Sequence, residues 1–408
     1  MHAKMSKIIL IALSFIFLTL RADALSFSEA LHAAKKHPDA KIADLTLEQS
    51  QKQTHKSYLN LTPSVNLYTS QIASPSPRDF SETTWGIGTT LNLFSGLRDF
   101  HSIRQERANY RAAAALRQTE MLEREITVGQ IYLECLFYQT SESSALESHN
   151  VGNQISEVAR KRFERGLTSK DEYLKLRVDA ETSQVKYISE KSKKENCYSN
   201  LKYWVGSFSN LDNISLKEAP SLRTLSEFPI NHPKFTYYKD IVGREKFYSR
   251  VLLAKNLPQV NLEYSREYQP TVVDPISFWA LRGTWTLFDS GQSWMNTQIQ
   301  NIELEKASEK LKTVEKTILR DSETLERTYL DNLKLYKILE SNLSQIKSTF
   351  RTSLNRYRAG ATTANDVALD QSRVIVATYS LDDMWLQKHL SLIRYQNSLG
   401  KSITELLR

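Results

Sequence analysis

Two parts of the chain alternate between apolar residues and small or polar residues, with a period of two. The apolar positions are Val65, Leu67, Thr69, Trp85, Ile87, Thr89, Leu91 and Leu93 in the first half of the chain, and Val260, Leu262, Tyr264, Trp279, Leu281, Gly283, Trp285 and Leu287 in the second. This period places successive side chains on opposite faces of a β-strand. The pattern therefore predicts two pairs of strands, at about 63–94 and 258–288, each strand with one apolar face.

Most of the remaining chain is predicted to be helical, because it is polar-faced and contains few helix breakers. The predicted helices cover 25–61, with a break at His37-Pro38, and 96–165, 168–205, 232–257, 290–359 and 362–399. About 70 residues of helix at about 1.5 Å each span roughly 105 Å. Helices of this length cannot bury themselves in one globule, so we expect antiparallel hairpins that pack side by side as coiled coil.

The order of strands, long helix, turn and shorter helix occurs twice. The segment from Arg162 to Glu172 returns as the segment from Arg356 to Asp366, with an offset of 194 residues between Gly166 and Gly360. His37-Pro38 returns as His232-Pro233, and Leu93-Phe94-Ser95-Gly96 returns as Leu287-Phe288-Asp289-Ser290-Gly291. A tandem duplication explains these paired motifs and predicts two structural halves of one pseudo-symmetric body.

The first residues have the pattern of a secretory signal peptide. Lys4 and Lys7 precede a mainly apolar run at 8–20, and a small-x-small cleavage site follows at Ala22-Asp23-Ala24. We therefore expect the mature chain to begin at Leu25. The predicted organisation is a signal peptide at 1–24, a first repeat at 25–206 with its tip at 166, an equatorial linker at 207–231, and a second repeat at 232–408 with its tip at 360.

The strand pattern favours a membrane barrel over its alternative, two half-buried surface hairpins. The run at 8–20 is shorter than the roughly 20 residues of a membrane helix, and no later stretch approaches that length. A secreted chain without such a helix spans a membrane only as a closed barrel. The strand length, the alternation and the Trp and Tyr positions match membrane-barrel strands. Four strands cannot close a barrel, for which about eight are needed, so we expect an oligomer.

Charge and composition exclude several classes of function. The net charge is +8, but basic and acidic residues are interspersed and no basic block contains interleaved aromatic residues, so no nucleic-acid partner is predicted. The eight His residues lack metal-ligand spacing, and the chain has neither a glycine-rich phosphate loop nor a G-x-S-x-G motif. We therefore predict a protein that is not an enzyme and needs no cofactor.

The two cysteines are placed symmetrically about the first turn. Cys135 precedes Gly166 by 31 residues and Cys197 follows it by 31. An antiparallel hairpin would hold both at the same height, and an oxidising periplasm permits a disulfide. Packed helix axes, however, lie about 8–10 Å apart, whereas a disulfide requires Cα atoms within about 7 Å. A disulfide and two unpaired thiols therefore both remain open.

The Arg-x-x-x-Gly-x-Thr turns, the duplicated plan and the Leu-Phe-(x)-Ser-Gly strand ends resemble the TolC-like outer-membrane efflux proteins. The resemblance covers essentially all of 25–400. It implies a mainly α-helical fold with a small membrane β-barrel, in which a homotrimer pools four strands per chain into 12. It further implies a helical tunnel in the periplasm, a periplasmic adaptor (membrane fusion) protein and an inner-membrane transporter as partners, and contact with outer-membrane lipid.

The resemblance also assigns roles to residues at the two turns. The family's tip motif, which docks the adaptor and constricts the pore, corresponds here to Arg162, Phe163, Gly166, Leu167 and Thr168 in the first repeat, and to Arg356, Tyr357, Gly360 and Thr362 in the second. The alternative is ordinary helix capping, in which Gly closes one helix and Thr168 or Thr362 caps the next. The two roles are compatible.

Asp366 corresponds to a position where aspartates of three chains ring the pore in the family. Such a ring repels anions and attracts cations. A second aspartate is expected three residues later, where this chain has Leu369 instead, and Asp370 is rotated by about 100° from that position. The predicted pore gate is therefore Asp366, with Asp370 a weaker candidate. The alternative is an Asp favoured by the helix dipole. The equivalent residue, Glu172, is expected to be a surface group.

On the strands, Glu263 and Arg282 are expected to face the barrel lumen, because either charge would be costly toward lipid. They could tune pore selectivity, but a cross-strand or solvated charge is the favoured interpretation.

The predicted function is a passive exit duct for drugs, toxic small molecules or polypeptides. It would lie in the bacterial outer membrane, with most of the chain in the periplasm. Drug efflux and type I protein secretion are not separated by the sequence. The alternative from another class is a secreted periplasmic coiled-coil protein without a pore.

Overall fold

The structure, a computed structural model, describes residues 24–71, 83–219, 221, 229–269 and 274–407. The predicted signal peptide, except for Ala24, lies outside the described residues. Seven α-helices are present in the described part: α1 Phe27–Ala34, α2 Pro38–Leu59, α3 Arg98–Glu164, α4 Lys170–Val205, α5 Pro233–Ala254, α6 Gln292–Arg358 and α7 Ala364–Ser398. A short 3-10 helix, Ile403–Leu406, follows. The predicted mainly helical fold is confirmed, including the break before Pro38.

The long helices α3 and α6 contain 67 residues each. None of the helices that the structure describes has a stretch apolar enough, over a sufficient length, to span a bilayer.

The four predicted strands form one antiparallel sheet. Their bounds are β1 Ser64–Gln71, β2 Thr83–Phe94, β3 Gln259–Tyr268 and β4 Ile276–Thr284, and their order in the sheet is β1-β2-β3-β4. The hairpins of the two repeats are therefore joined through β2 and β3. Among the described residues, β1 and β4 each pair on one side and form the edges of the sheet.

Strand β4 is shorter than predicted and ends at Thr284, so Trp285 and Leu287 lie outside it. Thr284 pairs with Gln259, the first residue of β3. Pro258 precedes Gln259 and has no N–H to continue the ladder. The indole of Trp285 instead donates a hydrogen bond to the Asn256 carbonyl at 3.0 Å.

The register places the apolar positions on one exposed face. Leu91, Leu262 and Leu281 are aligned across three strands, and the side chain of Leu281 is 69% exposed. Trp279 is 70% exposed beside Tyr264, and Leu67 is 75% exposed opposite Ile87. A contiguous apolar surface of this kind normally marks an interaction site.

Arg266 is an exception on this apolar face, where it pairs with Ile87 near the end of β3. Its guanidinium lies 5.6 Å from the Tyr268 ring centroid.

The strand-to-helix turns of the two repeats have related geometry. The Ser95 hydroxyl accepts a hydrogen bond from the Asp99 amide at 3.2 Å, and the Asp289 carboxylate accepts one from the Ser293 amide at 2.8 Å. Gly96 has a φ of +66°, and a Cβ at this position would lie 2.6 Å from the Ala254 carbonyl oxygen. The Leu-Phe-(x)-Ser-Gly motif therefore ends β2 in the first repeat and follows β4 in the second, and in both repeats it caps the long helix that comes next.

The chain divides into two compact units, and each takes segments from both repeats. The hairpin unit consists of residues up to Ala40, Met121–Ser226 and Arg320–Arg408. The sheet unit consists of Lys41–Glu120 and Glu227–Leu319. The two turns lie in the hairpin unit and all four strands lie in the sheet unit.

Within the hairpin unit, the described part of the linker is extended and attached to both ends of the described chain. Leu25 forms a bridge with Leu211, and Leu216 forms one with Leu407. The fully buried Tyr132 places its hydroxyl 2.8 Å from the carbonyl oxygens of both Leu25 and Asp212. The linker is therefore part of the core of this unit.

A disulfide joins Cys135 of α3 to Cys197 of α4, with the Cα atoms 5.4 Å apart. The separation of the helix axes does not exclude this disulfide, contrary to the expectation from the sequence. The Cα atoms lie about 2.3 Å from a helix axis, so two Cα atoms that face each other are several ångströms closer than the axes themselves. The disulfide closes a loop with a sequence separation of 62 residues.

We expect the double variant Cys135→Ser, Cys197→Ser to unfold more easily, by about 2–4 kcal/mol, because the unfolded chain regains the freedom that the closed loop removes. Thermal unfolding in detergent measures the effect. Reductant should lower the midpoint of the wild type and leave that of the double variant unchanged. An equal response of the two proteins would contradict the prediction.

Candidate functional site: the turns at Gly166 and Gly360

The two turns share one backbone geometry. Gly166 and Gly360 have φ values of +72° and +79°, a region that favours glycine. The Gly166 and Leu167 amides donate to the carbonyls of Phe163 and Arg162, both at 2.9 Å. In the second repeat, the equivalent bonds to Tyr357 and Arg356 are 2.9 and 2.8 Å long. Each long helix therefore ends in a Schellman motif.

The caps of the following helices lie one residue later than predicted. Ser169 and Thr363 are the N-caps, and each hydroxyl accepts a hydrogen bond from the amide three residues on, at 3.2 Å. The hydroxyls of Thr168 and Thr362 donate instead to the carboxylates of Glu172 and Asp366. The extended N-cap falls one residue later because the Schellman turn uses Leu167 or Ala361 to close the preceding helix.

Asp366 completes a capping box. Its carboxylate accepts hydrogen bonds from the hydroxyls of Thr363 and Thr362, at 2.7 and 2.8 Å, and from the Thr363 amide at 3.2 Å. These bonds, with that of the Thr363 hydroxyl the largest influence, hold the pKa of Asp366 below its ordinary value. The structure thus shows the capping role for Asp366, while the gate role stays a prediction.

Glu172 is more than the surface group that the sequence predicts. One carboxylate oxygen accepts from Thr168, and the other accepts from the Ala364 amide at 2.8 Å. Glu172 therefore binds the first turn of α7, which belongs to the other hairpin, and its negative charge lies at the positive end of that helix. Its side chain is one methylene longer than that of Asp366, which folds back on its own cap. This difference in side-chain length is the sequence signal from which the contact between Glu172 and α7 could have been predicted.

The twin aromatic residues Phe163 and Tyr357 have different surroundings. Tyr357 is 1% exposed and packs in a cluster formed by Ile155, Ala159, Leu176, Ala364 and Val367. Phe163 is exposed and stacks on Tyr173, with ring centroids 5.9 Å apart. Together with the exposed Leu167, Phe163 leaves apolar surface at the first turn.

Arg162 connects the two hairpins. One guanidinium nitrogen donates a hydrogen bond to the Tyr357 carbonyl at 2.8 Å, and the guanidinium carbon lies 4.7 Å from the centroid of the Tyr357 ring. Burial raises the pKa of the Tyr357 hydroxyl above its ordinary value. That hydroxyl has no hydrogen-bond partner among the described residues.

The remaining candidates of the second turn line a groove of about 610 Å³. Arg356, Thr362, Asp366 and Asp370 contribute to it. Asp370 accepts a hydrogen bond from Arg373 at 3.1 Å, so it already has a cationic partner on its own helix. The groove brings the gate candidates Asp366 and Asp370 together. Arg356, before the turn, and Arg373, after it, also line the groove.

The predicted lumen residues lie in the sheet unit, on the face opposite the apolar one. The guanidinium of Arg282 donates to the Glu263 carboxylate, with the shorter of two N–O distances at 3.0 Å. Both charges are therefore paired across β3 and β4, which is the interpretation that the sequence favoured. Tyr68 shares this face and hydrogen-bonds Glu267 at 2.7 Å.

Neither unit presents a site for a metal ion among the described residues, because no group of three His, Cys, Asp or Glu side chains converges there.

Residues 30–207 match the model of a family described as outer membrane efflux protein. No curated protein matches the sequence. Among solved structures, CusC has a TM-score of 0.83 at 14% identity, with 92% of each chain covered. The CmeC outer membrane channel of Campylobacter jejuni has a TM-score of 0.78 at 15% identity, with 91% of this chain and 85% of that chain covered.

The MtrE outer membrane channel of Neisseria gonorrhoeae, in its open state, is similar to the same degree. Its TM-score is 0.78 at 16% identity, with 92% of this chain and 89% of that chain covered. At such identities the likeness shows the fold, which is that of outer-membrane channels. Together with the family match in the first repeat, it confirms the predicted resemblance to the TolC-like outer-membrane efflux proteins. CusC, CmeC and MtrE are described as channels.

We expect Tyr357→Phe to leave stability unchanged or raise it by up to about 1 kcal/mol, because it removes a buried hydroxyl without a partner. The matched control is Tyr132→Phe in the same unit, which should cost about 1–2 kcal/mol because that hydroxyl is hydrogen-bonded. Chemical denaturation of both variants measures the difference. Destabilisation of Tyr357→Phe as large as that of Tyr132→Phe would show that the Tyr357 hydroxyl has a partner.

Proposed function

We propose that this chain is the outer-membrane component of a tripartite efflux or type I secretion system, in which a homotrimer forms the exit duct. The observation that carries the proposal is the four-stranded sheet with two open edges and one exposed apolar face. Three copies would join β4 of one chain to β1 of the next and close a 12-stranded barrel, with the apolar face toward lipid. Closure would satisfy the N–H and C=O groups of both edges, as a bilayer requires.

An apolar stripe on α4 supports the same assembly. Leu174, Val178, Val185 and Ile188 are exposed, and their spacings of four, seven and three residues place them on one helix face. This is the pattern of a coiled-coil seam. In the proposed trimer, neighbouring copies cover this stripe and build the wall of a periplasmic tunnel.

The adaptor partner is proposed to dock on the hairpins, from the turns to a groove further along the helices. A groove of about 320 Å³ between α3, α4 and α7 is lined by hydroxyl side chains. These include Ser144, Ser148, Thr182, Ser183, Ser372 and Thr378. Small hydroxyl side chains allow a partner helix to approach closely and still find hydrogen bonds. This groove and the exposed Phe163 and Leu167 form the proposed adaptor surface. An inner-membrane transporter would supply the energy.

The proposed substrates are drugs, toxic small molecules or polypeptides, because all of these would pass through a passive duct. The proposed location is the bacterial outer membrane, with the helices in the periplasm. A secreted coiled-coil protein without a pore would need another cover for the apolar face of the sheet.

The proposal makes a face-specific prediction for β4. Leu281→Arg places a charge on the lipid face and should cost about 2–4 kcal/mol near the bilayer midplane, so less trimer should assemble in outer-membrane fractions. Ala280→Arg, one residue away, points to the polar face beside Glu263 and should assemble normally. The trimer is measured by native mass spectrometry of detergent extracts. Equal assembly of the two variants, or a monomeric wild type, would refute the barrel.

The proposed gate makes a separate prediction about conductance. Asp366→Asn keeps an oxygen for the cap and removes the charge, so single channels in planar bilayers should conduct more or lose cation preference. Asp171→Asn removes the same charge from an exposed position in the first turn of α4 and serves as the control. If Asp366→Asn and wild-type channels have the same conductance and selectivity, Asp366 is a helix cap and not a gate.

A further inference from the structure

A second cavity in the hairpin unit, separate from the turns, combines aromatic walls with one carboxylate. It measures about 210 Å³ and lies where α3, α6, α7 and the linker meet. Phe137, Tyr336 and Trp385 contribute rings, Leu136 and Ile214 contribute aliphatic surface, and Asp382 contributes the carboxylate. The proposed duct assigns no task to this cavity.

Asp382 has no ion pair within the described part of the chain. Its hydrogen bond comes from the Ser144 hydroxyl at 3.5 Å, which is long. Burial raises the pKa of Asp382 to about 6, against the opposing influence of Lys347. A partly buried carboxylate with one long hydrogen bond and no ion pair is costly, and a cation in the cavity would offset that cost.

The aromatic walls suit a cation as well. The ammonium of Lys388 already lies 4.3 Å from the centroid of the Tyr336 ring, so this wall accommodates positive charge from the chain itself. The Trp385 ring lies against His389 in a tilted arrangement, with ring centroids 4.3 Å apart, and burial lowers the pKa of His389 to about 4. His389 is therefore neutral near pH 7 and does not repel a cation beside Trp385.

We propose that this cavity binds a small organic cation, with the ammonium group beside Asp382 and the carbon atoms against Phe137 and Trp385. Aromatic rings and a carboxylate together recognise substituted ammonium groups. A metal ion fits less well, because hard cations require several oxygen ligands and the cavity offers one carboxylate. The volume is below the roughly 300–1,000 Å³ of typical drug-sized sites, so the ligand is small.

Choline is a suitable probe, and 3,3-dimethylbutan-1-ol is its uncharged carbon isostere. Calorimetric titration of the full chain in detergent should give choline an affinity at least about tenfold above that of the isostere, because the two differ in charge and not in shape. Equal binding of the two compounds, or no heat from millimolar choline, would overturn the proposal.

Variants test the assignment of the carboxylate. Asp382→Asn should weaken choline binding by about tenfold or more and leave the weak binding of the isostere unchanged. Asp383→Asn removes an identical charge from the adjacent exposed position and should have no effect. Trp385→Leu should weaken both compounds. If Asp382→Asn and Asp383→Asn bind choline equally well, the carboxylate is not part of the site. Unchanged melting temperatures show that the variants are folded.

Acidification provides an independent readout. Choline keeps its charge at all pH values, so its affinity should fall as the pH drops through about 6 and Asp382 takes up a proton. The groups that face Asp382 are Lys347 and Tyr336 from α6, Ser144 from α3 and Tyr379 from α7. Burial raises the pKa values of Tyr336 and Tyr379 further above the ordinary value of tyrosine, so neither of them changes charge as the pH drops through 6. A pH-independent affinity would contradict the proposal.

Discussion

The open edges of the four-stranded sheet are the constraint on which the rest of this structure depends. The outer N–H and C=O groups of β1 and β4 have no strand partner among the described residues, and the apolar face beside them is exposed. Unpaired edges next to apolar surface promote association. The exposed apolar stripe on α4 promotes association in the same way, because a packed neighbour would remove it from water. In the proposed trimer, further copies of the chain would cover both the sheet and the helices.

The two turns have the same backbone geometry, but their equivalent side chains make different contacts. Both repeats end the long helix with the same Schellman bonds and a glycine of positive φ. The side chains then diverge, since Tyr357 is buried where Phe163 is exposed, and Glu172 binds the other hairpin where Asp366 caps its own helix. The hairpins are joined at this end by Arg162 and Glu172, both from the first repeat.

The sequence by itself determined the elements and their order. Helix ends follow from Pro38, Gly166 and Gly360, because proline and positive-φ glycine act within a few residues of their own position. The strands follow from a period of two, and the repeat follows from motifs that recur at offsets of 194 or 195 residues. These signals are local, so they can be recognised in the sequence without the tertiary structure. The sequence predicts each N-cap one residue too early, because two hydroxyl residues lie side by side at each turn.

Only the tertiary structure decided which distant residues meet. The pairing of β2 with β3, the approach of Cys135 to Cys197 and the bond from Ala364 to Glu172 all join residues far apart in the chain. The cavity around Asp382 is assembled from four segments, none of which carries a motif. Helix rotation and strand register set these contacts, and both result from packing of the whole unit. A periodic pattern predicts which residues share a face of a helix or strand, but it does not predict which residues pack against that face.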